Sequence, residues 1–333
     1  MRAWASIAVL LVAVVGCGSS DGAPMNASAE LPLKTVASVP LPGASNRFDY
    51  VSLDPRTNLL YIAHMNDDHV VVFDVRTRKV VRTIPAPGVH GVLAVPELGR
   101  VFASATNVRQ VFTIEERTGA VIARAPAGDY PDGIAWDPVE RHAFVSDESG
   151  GVETVVSSAG HRLATIPIGG EAGNVQYDAK ARRILVDVQT RDDIAVIDPR
   201  KARVVRRVSL PECDHPHGLL VDSARRLAFV ACTGNSRLLT LDLERLKVSG
   251  SAGVGSDADV LALDRSLHRL YVAAESGDVA IFAENAHGLT KLGQAELAPS
   301  AHTVAVDSRS HLVYFPLERG TGGKPELRIM APR

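Results

Sequence analysis

A short apolar run closed by Asp, or once by Pro, recurs seven times along the 333 residues. It ends at Asp54, Pro96, Asp137, Asp178, Asp222, Asp264 and Asp307, so successive differences are 42, 41, 41, 44, 42 and 43 residues. A period of about forty with several strand-like segments per unit is the mark of a propeller blade. The expected fold is therefore all-β: a seven-bladed propeller of four-stranded antiparallel blades.

The first unit shows how one blade is written. Phe48–Leu53, Leu59–Ala63, Val70–Asp74 and Lys79–Ile84 read as strands, separated by Asp-Pro, Asn and Arg-Thr turns. Val70-Val71-Val72-Phe73 is continuously apolar rather than alternating, which suits a sheet covered on both faces. A (β/α)8 barrel would need an amphipathic helix in every unit, and no segment beyond residue 16 has a sustained 3.6-residue period. The seventh unit supplies only Thr303–Val306, Leu312–Phe315 and Leu327–Met330 before the chain stops. The spare segment Leu33–Pro40 mirrors Lys79–Pro85, so it is expected to complete the last blade and close the ring.

Three segments follow: 1–16 an export signal, 17–32 a lipidated Cys with a flexible tether, and 33–333 the propeller. Arg2 precedes an apolar stretch, Ile7–Val15, too short to span a bilayer. Val14-Val15-Gly16-Cys17 resembles a bacterial lipobox, which implies cleavage before Cys17 and acylation of its thiol. Gly18 after that Cys resembles lipoproteins sent to an outer membrane. The expected location is the periplasmic side of a bacterial membrane, with the lipid at Cys17 as the membrane partner. Net charge is -2, with no like-charge run, which argues against nucleic acid as a partner. A monomer is expected.

Leu-Tyr-Ile-Ala at 60 to 63, Leu-Tyr-Val-Ala at 270 to 273, Val-Val-Phe-Asp at 71 to 74 and Ala-Val-Ile-Asp at 195 to 198 resemble the YVTN repeats of YncE-like propellers. The resemblance covers residues 33 to 333. It departs where Asn commonly follows the Tyr-Val motif: here those positions hold His64, Ala105, Asp147, Val188, Cys232, Ala274 and Leu317. The family has no single activity, so the resemblance implies a periplasmic or surface propeller.

Cys213 enters the fifth blade and Cys232 ends its second strand, places that face the same side in a propeller. In an oxidising compartment a Cys213–Cys232 disulfide is expected, with two reduced, packed thiols as the alternative.

Five residues before each landmark stand Asp49, Gly91, Asp132, Gly173, His217, Asp259 and His302, with His90 beside Gly91. Asp and His make up about a tenth of the chain, so five of seven exceeds composition. These positions begin the innermost strands and should border the central channel. Three readings follow. The residues hydrogen-bond neighbouring backbone; Asp49, His90, Asp132, His217, Asp259 and His302 bind a ligand at the channel mouth; or His217, Asp259 and His302 hold a divalent metal. Asp214 and His215 enrich one corner, and Glu275 and Asp147 follow second strands.

No cofactor motif is present, and a divalent metal is the one cofactor the ring could hold. Gly18-Ser19-Ser20-Asp21-Gly22 lies in the tether, not on a nucleophile elbow, and Pro325 spoils any phosphate loop at Gly323-Lys324. The expected function is a ligand-binding or protein-interaction module. The alternatives are a metal-dependent hydrolase or lactonase on the His/Asp ring, and a scaffold for another envelope protein.

Overall fold

The computed structural model describes residues 30–285 and 288–333. Cys17, the expected export signal and most of the expected tether lie outside them. Strands organise into seven four-stranded antiparallel sheets, each running from an inner to an outer strand. The inner strands of blades 1 to 7 are Val51–Asp54, Val89–Val95, Pro131–Asp137, Ala172–Asp178, Pro216–Asp222, Ala258–Asp264 and Ala305–Asp307. Among the described residues no helix is long and apolar enough to cross a membrane.

Ring closure follows the expected route. Leu33–Pro40 pairs antiparallel with Glu326–Pro332, from Leu33 opposite Pro332 to Pro40 opposite Glu326. It is the outer strand of blade 7, so one sheet joins both ends of the described chain. Arg333 N–H donates to Pro32 O at 3.1 Å, and its guanidinium pairs with Glu30.

Apolar residues pack between blades rather than around one centre. Leu60, Ile62, Val71 and Phe73 of blade 1 meet Tyr314, Leu327 and Ile329 of blade 7. On the other face, Tyr61, Ala63, Val70 and Val72 meet Val89, Val92 and Val101 of blade 2. The continuous run Val70–Phe73 is thus wholly buried, because each of its faces has a neighbouring sheet.

The landmark Asp has a local cause. Its Oδ1 accepts the backbone N–H two residues on, at 2.6–3.1 Å, in every blade but the second. That Asx geometry fixes the first turn of each blade. Blade 2 turns instead through a short 3-10 segment, Pro96–Leu98. There Val95, opposite Arg100, takes the place that Asp137, opposite His142, holds in blade 3. The blade-2 landmark therefore moves from Pro96 to Val95, and His90, not Gly91, becomes its ring member.

Inner strands of blades 1 and 7 are shorter than expected, beginning at Val51 and Ala305 instead of Phe48 and Thr303. Near the axis the pairing is interrupted, as it is between Pro131 and Ile134 in blade 3. The expected disulfide is present: Cys213 and Cys232, 19 residues apart in sequence, have Cα atoms 5.3 Å apart. Closing so short a loop contributes about 3 kcal/mol in the chain-entropy model.

Candidate functional site

Inner strands start, and second strands end, on one face of the ring. Side chains from both sets therefore converge on the axis there. They line a cup of about 260 Å³. Asp49, His90, Asp132, His217 and Asp259 come from the inner-strand starts; Glu148, Gln189, Thr233 and Glu275 follow the second strands. Arg47, Tyr50, Tyr130 and Asp257 complete the wall.

Tyr50 gives the cup its floor. Its hydroxyl donates to Asn174 Oδ1, bridging blade 1 to blade 4. Tyr50 also borders a second space of about 130 Å³, with Val92, Ile134, Val175, Leu219, Val260 and Val304 on its walls. Ser52, Asn174 and Gln176 add polar groups to that space, and Tyr50 is the residue it shares with the cup. Burial and the surrounding carboxylates push the Tyr50 hydroxyl well above its ordinary pKa, which keeps it a donor.

Five of the six expected ring residues line the cup, and the sixth, His302, is buried against them at 1% exposure. Gly173 occupies the ring position of blade 4, where a Cβ would lie 2.9 Å from the backbone of His217. The neighbouring blade leaves no room for a side chain there. His90 is satisfied on both edges: Nδ1 lies 2.9 Å from Gly88 O, and Nε2 lies 2.8 Å from the Tyr130 hydroxyl.

Arg47 joins three carboxylates. Its guanidinium pairs with Glu275, lies 3.4 Å from Asp49 Oδ2, and lies 3.9 Å from Asp259 Oδ2. His217 Nε2 stands 3.2 Å from Asp259 Oδ1. Burial alone would lower the imidazole, but contact with Asp259 outweighs it and raises His217 to about 10. Burial likewise raises Asp259, yet His217, His302 and Arg47 hold it below the usual carboxylate range. Asp132 moves the other way: burial, with Asp49 adding repulsion, pushes it well above. Burial also raises Asp49, against the pull of Arg47.

The metal triad read from the sequence, His217, Asp259 and His302, is not the group that converges. Asp49, Asp259 and His302 each offer one ligand atom within 4.8 Å of the other two. His217 stands outside as the counter-ion of Asp259. A second group, Asp192, Asp214 and His215, is exposed, with His215 Nδ1 2.7 Å from Asp214 Oδ1.

Of the two acids expected beyond second strands, Glu275 lines the cup, while Asp147 ends its strand and is structural. Asp147 Oδ1 accepts the N–H groups of Tyr130 at 2.9 Å and Gly150 at 2.7 Å. Its neighbour Glu148 reaches the cup instead. Arg47, Tyr130 and Asp257 escaped the sequence reading, although each lies seven residues before a landmark Asp. The residues just after second strands (Thr106, Glu148, Gln189, Thr233, Glu275 and Glu318) are polar in six of seven blades, a second signal for the rim.

No protein-family model and no curated protein matches the sequence. Solved structures match the fold. A chain of hydrazine synthase from Kuenenia stuttgartiensis superimposes with a TM-score of 0.71 at 13% identity, over 89% of this chain and 95% of that one. A chain from the crystal structure of a mitotic checkpoint complex gives 0.75 at 10% identity, over 96% and 99%. At such identities the likeness shows the seven-bladed propeller and nothing of activity.

Proposed function

We propose that this protein is a binding module whose cup accepts a positively charged group. The observation that carries the reading is the charge balance of the lining. Six carboxyl groups (Asp49, Asp132, Glu148, Asp257, Asp259 and Glu275) face two cationic side chains, Arg47 and His217, and even with Asp49 and Asp132 raised by burial the other four outnumber the cations. Tyr50, at the floor, marks the inner limit of the cup. A concave, partly desolvated site of one sign concentrates field and favours a counter-charged ligand. An ammonium or guanidinium group of a small molecule, or of a partner's side chain, has that chemistry.

The propeller fold is one compatible with a protein-interaction module. The wider proposal keeps the chain with YncE-like propellers and anchors it by lipid at Cys17 outside the cytoplasm. The repeat motifs support the first part, and Arg2, the apolar Ile7–Val15 and Gly16-Cys17 support the second.

The test uses purified protein titrated with spermidine, arginine amide and a Lys-containing peptide at low and high salt. At least one of these cations should raise the melting temperature and bind less tightly as salt increases. Replacing Glu148→Gln and Glu275→Gln together should weaken that binding by roughly tenfold, about 1.4 kcal/mol. Indifference to every cation, or the same response to anionic controls, would overturn the reading.

A further inference from the structure

We propose that Asp49, Asp259 and His302 form a site for one divalent transition-metal ion of the zinc or manganese type. The inference rests on the cation reading of the cup and names the cation. Three consecutive blades supply the ligands: blade 6 gives Asp259, blade 7 gives His302, and the entry to blade 1 gives Asp49. All three are buried, at 4%, 1% and 3% exposure. One imidazole and two carboxylates form a mixed nitrogen and oxygen donor set, which suits zinc, manganese or iron(II).

His302 points to a ligand independently of the cluster. Its Nδ1 lies 3.0 Å from Ser300 O. A carbonyl oxygen only accepts, so Nδ1 carries a hydrogen, and Nε2 is the nitrogen left for a metal. That Nε2 is buried and has no hydrogen-bond partner. His90 makes the internal comparison. Its Nδ1 is held by a carbonyl two residues back in the same way, but its Nε2 meets the Tyr130 hydroxyl. An imidazole oriented by a backbone carbonyl, with its other nitrogen bare in a buried acidic cluster, is the arrangement of a metal-ligating histidine. Asp259 Oδ1 is also buried without a hydrogen-bond donor, although His217 Nε2 stands 3.2 Å away as an ion-pair partner.

Two features set the expected strength. The ligand atoms lie within 4.8 Å of one another. With metal–ligand bonds of about 2.1 Å a tetrahedral edge is roughly 3.4 Å, so binding draws the side chains inward. Arg47 is the nearby competitor. Its principal contact is Glu275, outside the triad, and its distances to Asp49 and Asp259 are longer. A guanidinium so placed repels an arriving ion and competes with it for Asp49 and Asp259, and therefore lowers its affinity.

The experiment uses untagged purified protein, stripped with a chelator and titrated with Zn2+ and Mn2+ by calorimetry, with metal content measured after dialysis. One equivalent should bind, and His302→Ala or Asp49→Asn should each weaken it at least tenfold. Melting curves without metal identify any variant that fails to fold. Arg47→Gln keeps the triad and guards against that ambiguity: it should tighten the metal by roughly tenfold. Cobalt(II) absorption in the wild type supplies a separate readout of ligation by nitrogen and oxygen. No stoichiometric metal in the wild type, or equal affinity in folded His302→Ala and Asp49→Asn, overturns the site. If metal fails while organic cations still bind, this inference falls and the cation reading stands; if neither binds, both fall.

Discussion

Glu153 is fully buried, and neither of its carboxylate oxygens has a hydrogen-bond partner. Burial, with repulsion from Asp147 added, pushes its pKa well above the carboxylate range. An acid raised in the folded state contributes most below its unfolded pKa, and that contribution is lost as pH rises toward the folded value. Each unit of displacement is worth about 1.4 kcal/mol. Glu153→Met, of similar volume and without a titrating group, should therefore melt higher than the wild type, with a larger gain at pH 8 than at pH 5. An equal gain at both pH values would show that titration of Glu153 is not its cause. At this scale the sequence was legible wherever a residue type recurred at a fixed offset. Asp49, Asp132, His217, Asp259 and His302 stood out because five blades repeat the choice. Arg47 and Tyr130 did not, since each blade fills that offset differently: Gly88, Glu171, His215 and Ser300 occupy it elsewhere. Nor could sequence choose between Asp147 and Glu148, which differ only in which way adjacent side chains point along one turn.

Among the elements, Leu33–Pro40 has the clearest energetic role. It covers the hydrogen-bonding edge of Glu326–Pro332, and its Leu33 is buried at 2% exposure. Without it, blade 7 would present an unpaired edge to any other chain. A variant beginning at Leu41 should melt several degrees lower and elute as oligomers in size-exclusion chromatography; an unchanged monomer would refute this role. The strand was readable because its pattern copies Lys79–Pro85 and the last unit is one strand short. Strand limits were less readable. The inner strands of blades 1 and 7 begin later than their apolar patterns do, at Val51 and Ala305, a limit that no local pattern encodes.

For the whole molecule, two kinds of acid divide the two faces. Acids ending the inner strands are committed: Asp178 takes Arg226 of the next blade at 2.7 Å, Asp222 takes Arg265 at 3.0 Å, and Asp264 takes His311 at 2.7 Å. Acids starting those strands face the cup and are only partly matched. Between the faces, Tyr50 and Asn174 close the axis. Tyr50→Phe leaves Asn174 Oδ1, on a residue 6% exposed, without that donor and should cost about 1–3 kcal/mol in denaturant unfolding. Tyr271, whose buried hydroxyl has no hydrogen-bond partner, serves as the control. Tyr271→Phe should be neutral or stabilising; if both changes cost the same, the cross-axis bond has no special weight. The repeat made the ring legible, but a hydroxyl and an amide 124 residues apart carried no periodic mark.

The direction of the outermost strand of blade 7 has a practical corollary. Leu33 pairs with Pro332 at the end of that sheet remote from the cup, and Pro40 lies at the near end. Both termini of the described chain thus leave from the back of the disc, at its perimeter. A bead, dye or vesicle coupled to either one leaves the acidic mouth looking into bulk solution, open to whatever diffuses past.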